Sequence, residues 1–276
     1  MKKNFYMLMV CFLVACATAK SDVTSSQFSP EKISVEYDRI DFQNPSVTGV
    51  EYKFRFAVEN KNNTSVTIRE AEYSFVLSDI KIPTAKREIN LTIEPSKSGS
   101  FEIIVPVKFP EESAKLEEFL SKKNADYELS GVVRGEGFEI PIGAKYQIIL
   151  PEIPQVSVPG ASISSGEKGE IGFTFDLVIS NNNTFETKID YFDYKVMIED
   201  IPVGEGRIAE LEKCPPNAQL SYTFPAKIDL SKYSVQVKKM LSQKKFNYVV
   251  EGVLGISGKT FPVSRKGSIN FSMRLK

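Results

Sequence analysis

Apolar and polar residues alternate along most of this chain, with a period of two that places every second side chain on one face. Residues 51–58 carry Tyr52, Phe54, Phe56 and Val58 on one side, and residues 173–179 repeat the pattern with Phe173, Phe175, Leu177 and Ile179. Both runs stop at asparagine clusters, Asn60-Lys61-Asn62-Asn63 and Asn181-Asn182-Asn183. Asparagine bonds its own backbone and tolerates left-handed conformations, so Asn60, Asn62, Asn181 and Asn183 are candidate strand caps or turn residues. Further short strands are predicted over 66–68, 73–77, 100–105, 127–133, 138–142 and 145–150, with counterparts later in the chain. Asp79 and Asp200 end two of these runs as candidate turn residues. Gly135-Glu136-Gly137 lies between two strand-like runs and reads as a hairpin turn, not a phosphate loop. The period changes to helical twice. Leu116, Phe119 and Leu120 stand at i, i+3 and i+4, as do Val237, Met240 and Leu241.

The second half restates the first, 121 residues further on and in unbroken register. Phe54 falls on Phe175, Tyr73 on Tyr194, Tyr127 on Tyr248, Gly131 on Gly252 and Pro141 on Pro262, and about a fifth of the paired positions are identical. A period this long indicates tandem domains rather than a solenoid. About seven strands and one helix in about 120 residues predict a β-sandwich. The expectation is therefore an all-β-dominated chain of two tandem antiparallel sandwiches, residues 30–150 and 151–276, each with one short α-helix.

The N-terminus reads differently. Lys2-Lys3 is followed by an apolar stretch too short to span a bilayer and by Leu13-Val14-Ala15-Cys16. This resembles the bacterial lipobox, which implies cleavage after Ala15, a diacylglyceryl thioether on Cys16 and a lipid anchor in the cell envelope. Ala17 after the cysteine implies the outer membrane. Ordinary secretory cleavage after Ala17-Thr18-Ala19 is the alternative. Residues 1–15 then form the signal peptide and residues 16–29, rich in Ser and Thr, a flexible tether.

Charge and chemistry narrow the function. Basic and acidic residues number 35 each and there is no histidine. Neutrality argues against a nucleic-acid partner. The lack of histidine excludes Ser-His-Asp and Cys-His chemistry and removes the commonest transition-metal ligand. Of three cysteines, Cys11 leaves with the signal peptide and Cys16 carries lipid, so Cys214 has no disulfide partner. It is read as a small buried hydrophobe, the alternative being an exposed thiol. No enzyme, cofactor or metal is expected. The first helix is acidic and the second basic. Lys238, Lys239, Lys244 and Lys245 are ordinary solvated positions or candidate contacts to anionic headgroups.

Each copy resembles the type-2 late-embryogenesis-abundant domain, also called the WHy (water stress and hypersensitive response) domain. The resemblance rests on the strand ending in Asn-x-Asn, the Tyr-x-apolar-x-apolar strand at Tyr73 and Tyr194, and the Tyr-x-apolar-x-Gly-apolar strand at Tyr127 and Tyr248. The central proline common in the family stop is absent from both copies. The resemblance implies a fibronectin-type-III-like sandwich, a non-enzymatic role in desiccation or osmotic stress, and no catalytic residues. Partners are then the membrane through Cys16 and envelope proteins or lipids. The alternative is a hydrophobic-ligand carrier with a groove between sheet and helix.

Overall fold

The alternation becomes fourteen strands and one α-helix among the residues that the computed structural model describes, which are 28–165, 170–199, 201–209, 211–229, 231–233 and 245–270. The first half contains β1 (Ile33–Ser46), β2 (Gly49–Asn60), β3 (Val66–Leu77), β4 (Ile80–Ile93), β5 (Ser98–Lys108), α1 (Ser113–Ser121), β6 (Asn124–Gly135) and β7 (Phe138–Ile149). The second contains β8 (Gln155–Ser165), β9 (Glu170–Asn181), β10 (Ile189–Ile198), β11 (Ile201–Ala209), β12 (Ala218–Asp229), β13 (Lys245–Ile256) and β14 (Lys259–Asn270).

Each half folds into a three-stranded and a four-stranded antiparallel sheet. The orders are β1-β2-β5 with β4-β3-β6-β7, and β8-β9-β12 with β11-β10-β13-β14. Compared with an immunoglobulin constant-type sandwich, the fourth strand has moved to the second sheet, which is the fibronectin-type-III arrangement. The inward faces meet through aromatic rings. Tyr52 and Phe54 of β2 pack on Phe75 of β3, and Phe54 also meets Tyr127 of β6, at centroid separations of 5.5–5.6 Å. Phe175 of β9 meets Tyr248 of β13 at 5.3 Å, and Phe224 of β12 meets Tyr194 of β10 at 4.4 Å. Each such ring, removed from water, contributes about 1.5–3 kcal/mol by area burial.

The helix connects β5 to β6 and buries one face in the core. Leu116, Phe119 and Leu120 are all buried, and Phe119 packs on Phe109 at 5.2 Å. The second predicted helix, with Val237, Met240 and Leu241, lies outside the described residues.

Several predicted strands change their bounds. The runs 66–68 and 73–77 join into β3 across an irregularity between Ile68 and Glu70, and 138–142 joins 145–150 as β7. The sequence reading gave no bounds for β1, β4, β8 or β11. All four are edge strands with one face against solvent. Every proline inside a strand (Pro45, Pro83, Pro106, Pro141, Pro159, Pro202, Pro225 and Pro262) lies on an edge strand, where the missing N–H leaves no central ladder bond unmade.

The Tyr-x-apolar-x-Gly motif has a geometric cause. Gly131 pairs with Tyr73 and Gly252 with Tyr194. A Cβ on Gly131 would stand 2.3 Å from the Glu72 carbonyl oxygen, and one on Gly252 would stand 2.1 Å from that of Asp193. Four residues earlier, the tyrosine hydroxyl reaches the strand across the sandwich. Tyr127 pairs with the Tyr37 hydroxyl at 3.1 Å, and Tyr248 donates to the Val158 carbonyl at 2.8 Å.

Candidate functional site

The asparagine clusters form the most fully built polar sites. Asn60 is buried at the end of β2. Its Nδ2 donates to the carbonyls of Thr64, Ile93 and Glu94 at 2.9–3.2 Å, and its Oδ1 accepts the Asn62 backbone N–H. Asn181 repeats this at the end of β9, donating to Phe185, Cys214 and Pro215 at 2.8–3.0 Å and accepting from Asn183. The second asparagine of each pair grips the segment that leads into its half. Asn62 accepts the Ser29 N–H at 2.7 Å and donates to the Ser29 carbonyl at 3.1 Å. Asn183 does the same with Glu152, at 2.7 and 2.8 Å. Each side-chain amide thus makes the two reciprocal bonds of one β-bridge. None of these four asparagines has positive φ; among the described residues that conformation falls at Ser78, Ser96, Glu199 and Asn217, among others. The asparagines therefore do more than end strands or turn the chain. They tie segments more than thirty residues apart.

The other sequence candidates are dispersed. Asp79 sits exposed in the β3–β4 turn, with Lys122 Nζ 3.5 Å from its carboxylate. Asp200, Cys16, Ala15, Lys238, Lys239 and Lys244 lie outside the described residues. Lys245 is exposed at the start of β13. Cys214 is fully buried, bridged to Thr187 through two backbone bonds of 2.9 Å, and burial pushes its thiol above the ordinary range. Glu72 and Asp193, equivalent positions on β3 and β10, are both held below the usual carboxylate range. Arg134, bonded at 2.6 Å, lowers Glu72, and Arg207, paired through both its Nε and an amino nitrogen, lowers Asp193.

An apolar cleft of about 500 Å³ opens where the two halves meet. Ile40, Phe42 and Val50 form one wall, residues 148–151 the floor, and Phe185 the opposite side. Phe42 and Ile149 are 51% and 82% exposed, the largest values among the exposed large hydrophobics apart from Tyr146 at 54%. Glu152 is the only charged residue lining the cleft; its carboxylate accepts a 3.1 Å bond from Asn182 Nδ2. Elsewhere between the halves, Lys259 Nζ donates to the Glu111 carbonyl and the Thr260 N–H to Ser113 Oγ, joining the β13–β14 hairpin to the start of α1. The apolar opening is thus not beside α1, whose face is filled by the core. The sequence reading missed these residues. The repeat held a signal for two of them: Ile149 stands where the other copy has Asn270, and Phe185 where it has Thr64.

A second concavity, of about 430 Å³, lies at the open edge between β4 and β5 and is lined by Arg55, Arg87, Glu88, Ser100 and Glu102. Its charges are largely compensated, with Arg55 3.6 Å from Asp38 and Glu102 3.0 Å from Lys53.

Compared with known proteins, residues 176–267 match the family model described as late embryogenesis abundant protein, LEA_2, a stretch running from β9 into β14. No curated protein matches the chain. Among solved structures, a solution structure of an Arabidopsis thaliana protein is similar at 22% identity and a TM-score of 0.39, covering 50% of this chain and 94% of that one. A crystal structure of an Archaeoglobus fulgidus protein aligns at 10% identity and 0.31, covering 43% and 97%. Red sea bream transglutaminase aligns at 9% and 0.29, covering 88% of this chain and 32% of that one.

Proposed function

We propose that this chain is a non-enzymatic binding or scaffolding module of a bacterial cell envelope, anchored through lipidated Cys16 and protecting against desiccation or osmotic stress. The match of residues 176–267 to the late embryogenesis abundant family carries this reading. The duplicated asparagine clamp extends the same architecture to residues 28–150, outside the matched stretch. The basic segment around Lys238, Lys239, Lys244 and Lys245 would then face anionic headgroups. A deletion strain is expected to survive drying or hyperosmotic shock about tenfold less well. Wild-type protein restores survival, and Cys16→Ser, released into the soluble fraction, does not. Equal survival of all three strains would remove the reading.

A second reading, hydrophobic-ligand binding, is favoured by the junction cleft. Its exposed Phe42 and Ile149 give an apolar ligand more to bury than the closed helix face does.

A further inference from the structure

We infer that the junction cleft takes one single-chain lipid with an uncharged, hydroxyl-bearing head, the chemistry of a monoacylglycerol. This rests on the hydrophobic-ligand reading and adds the site and the selectivity. The volume, about 500 Å³, lies within the range of a site for one small ligand. Its walls are aliphatic and aromatic: Ile40, Phe42, Val50, Ile149 and Phe185. The site belongs to the junction and not to either sandwich, because its walls come from β1, β2, the end of β7 and the loop after β9.

Charge at the rim selects the head. No lining residue is basic, and Glu152 is the only acidic one. Gln147, also at the rim, donates to the Asp126 carboxylate at 3.2 Å, so a second acid stands just behind it. A fatty-acid carboxylate in this mouth would meet like charge without a counter-ion, whereas a glycerol hydroxyl would donate to Glu152. The backbone of Glu152 is already fixed by Asn183, so the carboxylate is carried on an anchored segment.

The test uses the full mature chain with Cys16→Ser in detergent-free buffer. N-phenyl-1-naphthylamine serves as the fluorescent probe, displaced by 1-monopalmitoylglycerol or by palmitate at pH 8. Saturable probe binding at one site per chain is expected. Monopalmitoylglycerol should displace the probe at a concentration at least tenfold lower than palmitate. Ile149→Glu should weaken probe binding at least tenfold with an unchanged unfolding midpoint, since the side chain is already exposed. Glu152→Gln should narrow the preference between the two lipids. Equal displacement by palmitate would overturn the head-group selection and leave the apolar site standing. Full binding by Ile149→Glu would place the probe elsewhere and overturn the cleft. No saturable binding at all would remove the hydrophobic-ligand reading with it.

Discussion

One amide at Asn181 satisfies three carbonyls from two separate loops, and its oxygen takes up a buried N–H. Hydrogen bonds of this kind are modest when made and expensive when a buried partner is orphaned. Asn181→Ala takes this donor from the Phe185 and Pro215 carbonyls and leaves the Cys214 carbonyl only its bond from the Thr187 N–H. It should lower unfolding free energy by about 3 kcal/mol. Asn181→Asp keeps the shape but replaces the donor with an acceptor and should do no better. Asn182→Ala, one residue along, removes only an exposed bond to Glu152 and should stay within about 0.5 kcal/mol. Urea unfolding of the three variants decides it, and a mild Asn181→Ala would mean the clamp is redundant. The sequence showed that asparagines sit at these strand ends, but not what they do. Turn chemistry is local, whereas the partners of Asn60 and Asn181 lie up to 34 residues away.

At the scale of the element, the central strands were readable, as were the edges β5, β7, β12 and β14, whereas β1, β4, β8 and β11 were given no bounds. The runs over 51–58 and 173–179 keep a strict alternation because both faces of their pairing are fixed by neighbours on either side. β1 loses its period between Tyr37 and Arg39, where a register shift moves Ile40 and Phe42 onto the phase that alternation assigned to polar residues. β4 does the same opposite Tyr73 and Phe75. Prolines would have separated edge from centre had they been read that way. The neighbouring strands are also joined by charge. Glu72 meets Lys86 of β4 and Arg134 of β6, and Asp193 meets Arg207 of β11. The folded-state pKa values of both acids lie below their unfolded values. Their contribution is therefore complete above the ordinary carboxylate range and is lost as pH falls through the depressed folded values. The melting temperature should hold down to about pH 4.5 and fall below it. Arg207→Met returns Asp193 towards its ordinary value and should flatten that fall. An unchanged slope would show that the pair is screened by solvent, as exposed pairs often are.

For the whole molecule, the repeat proposes two units that fold independently, 30–150 and 151–276, and the contacts say what joins them. Each half holds both of its sheets, its own aromatic layer and its own asparagine clamp. Across the junction run bonds from Lys259 and Thr260 to Glu111 and Ser113 at the head of α1. These bonds are exposed and polar, and beside them the buried apolar residues of both halves form one continuous cluster. The clamp also sets where each half can begin. Asn62 grips Ser29, in the segment preceding its own half, whereas Asn183 grips Glu152, in the linker leaving the first. Residues 28–150 produced alone should thus keep every clamp bond and unfold cooperatively, within about 5 °C of the matching transition in the full chain. Residues 151–276 should also fold, because Glu152 goes with them, whereas a fragment starting at residue 155 should lose about 2 kcal/mol with its two clamp bonds. Calorimetry of the three fragments measures all of this. If residues 28–150 show no cooperative transition, the duplication records ancestry but not autonomy, and the junction must carry stability that its few polar bonds do not account for.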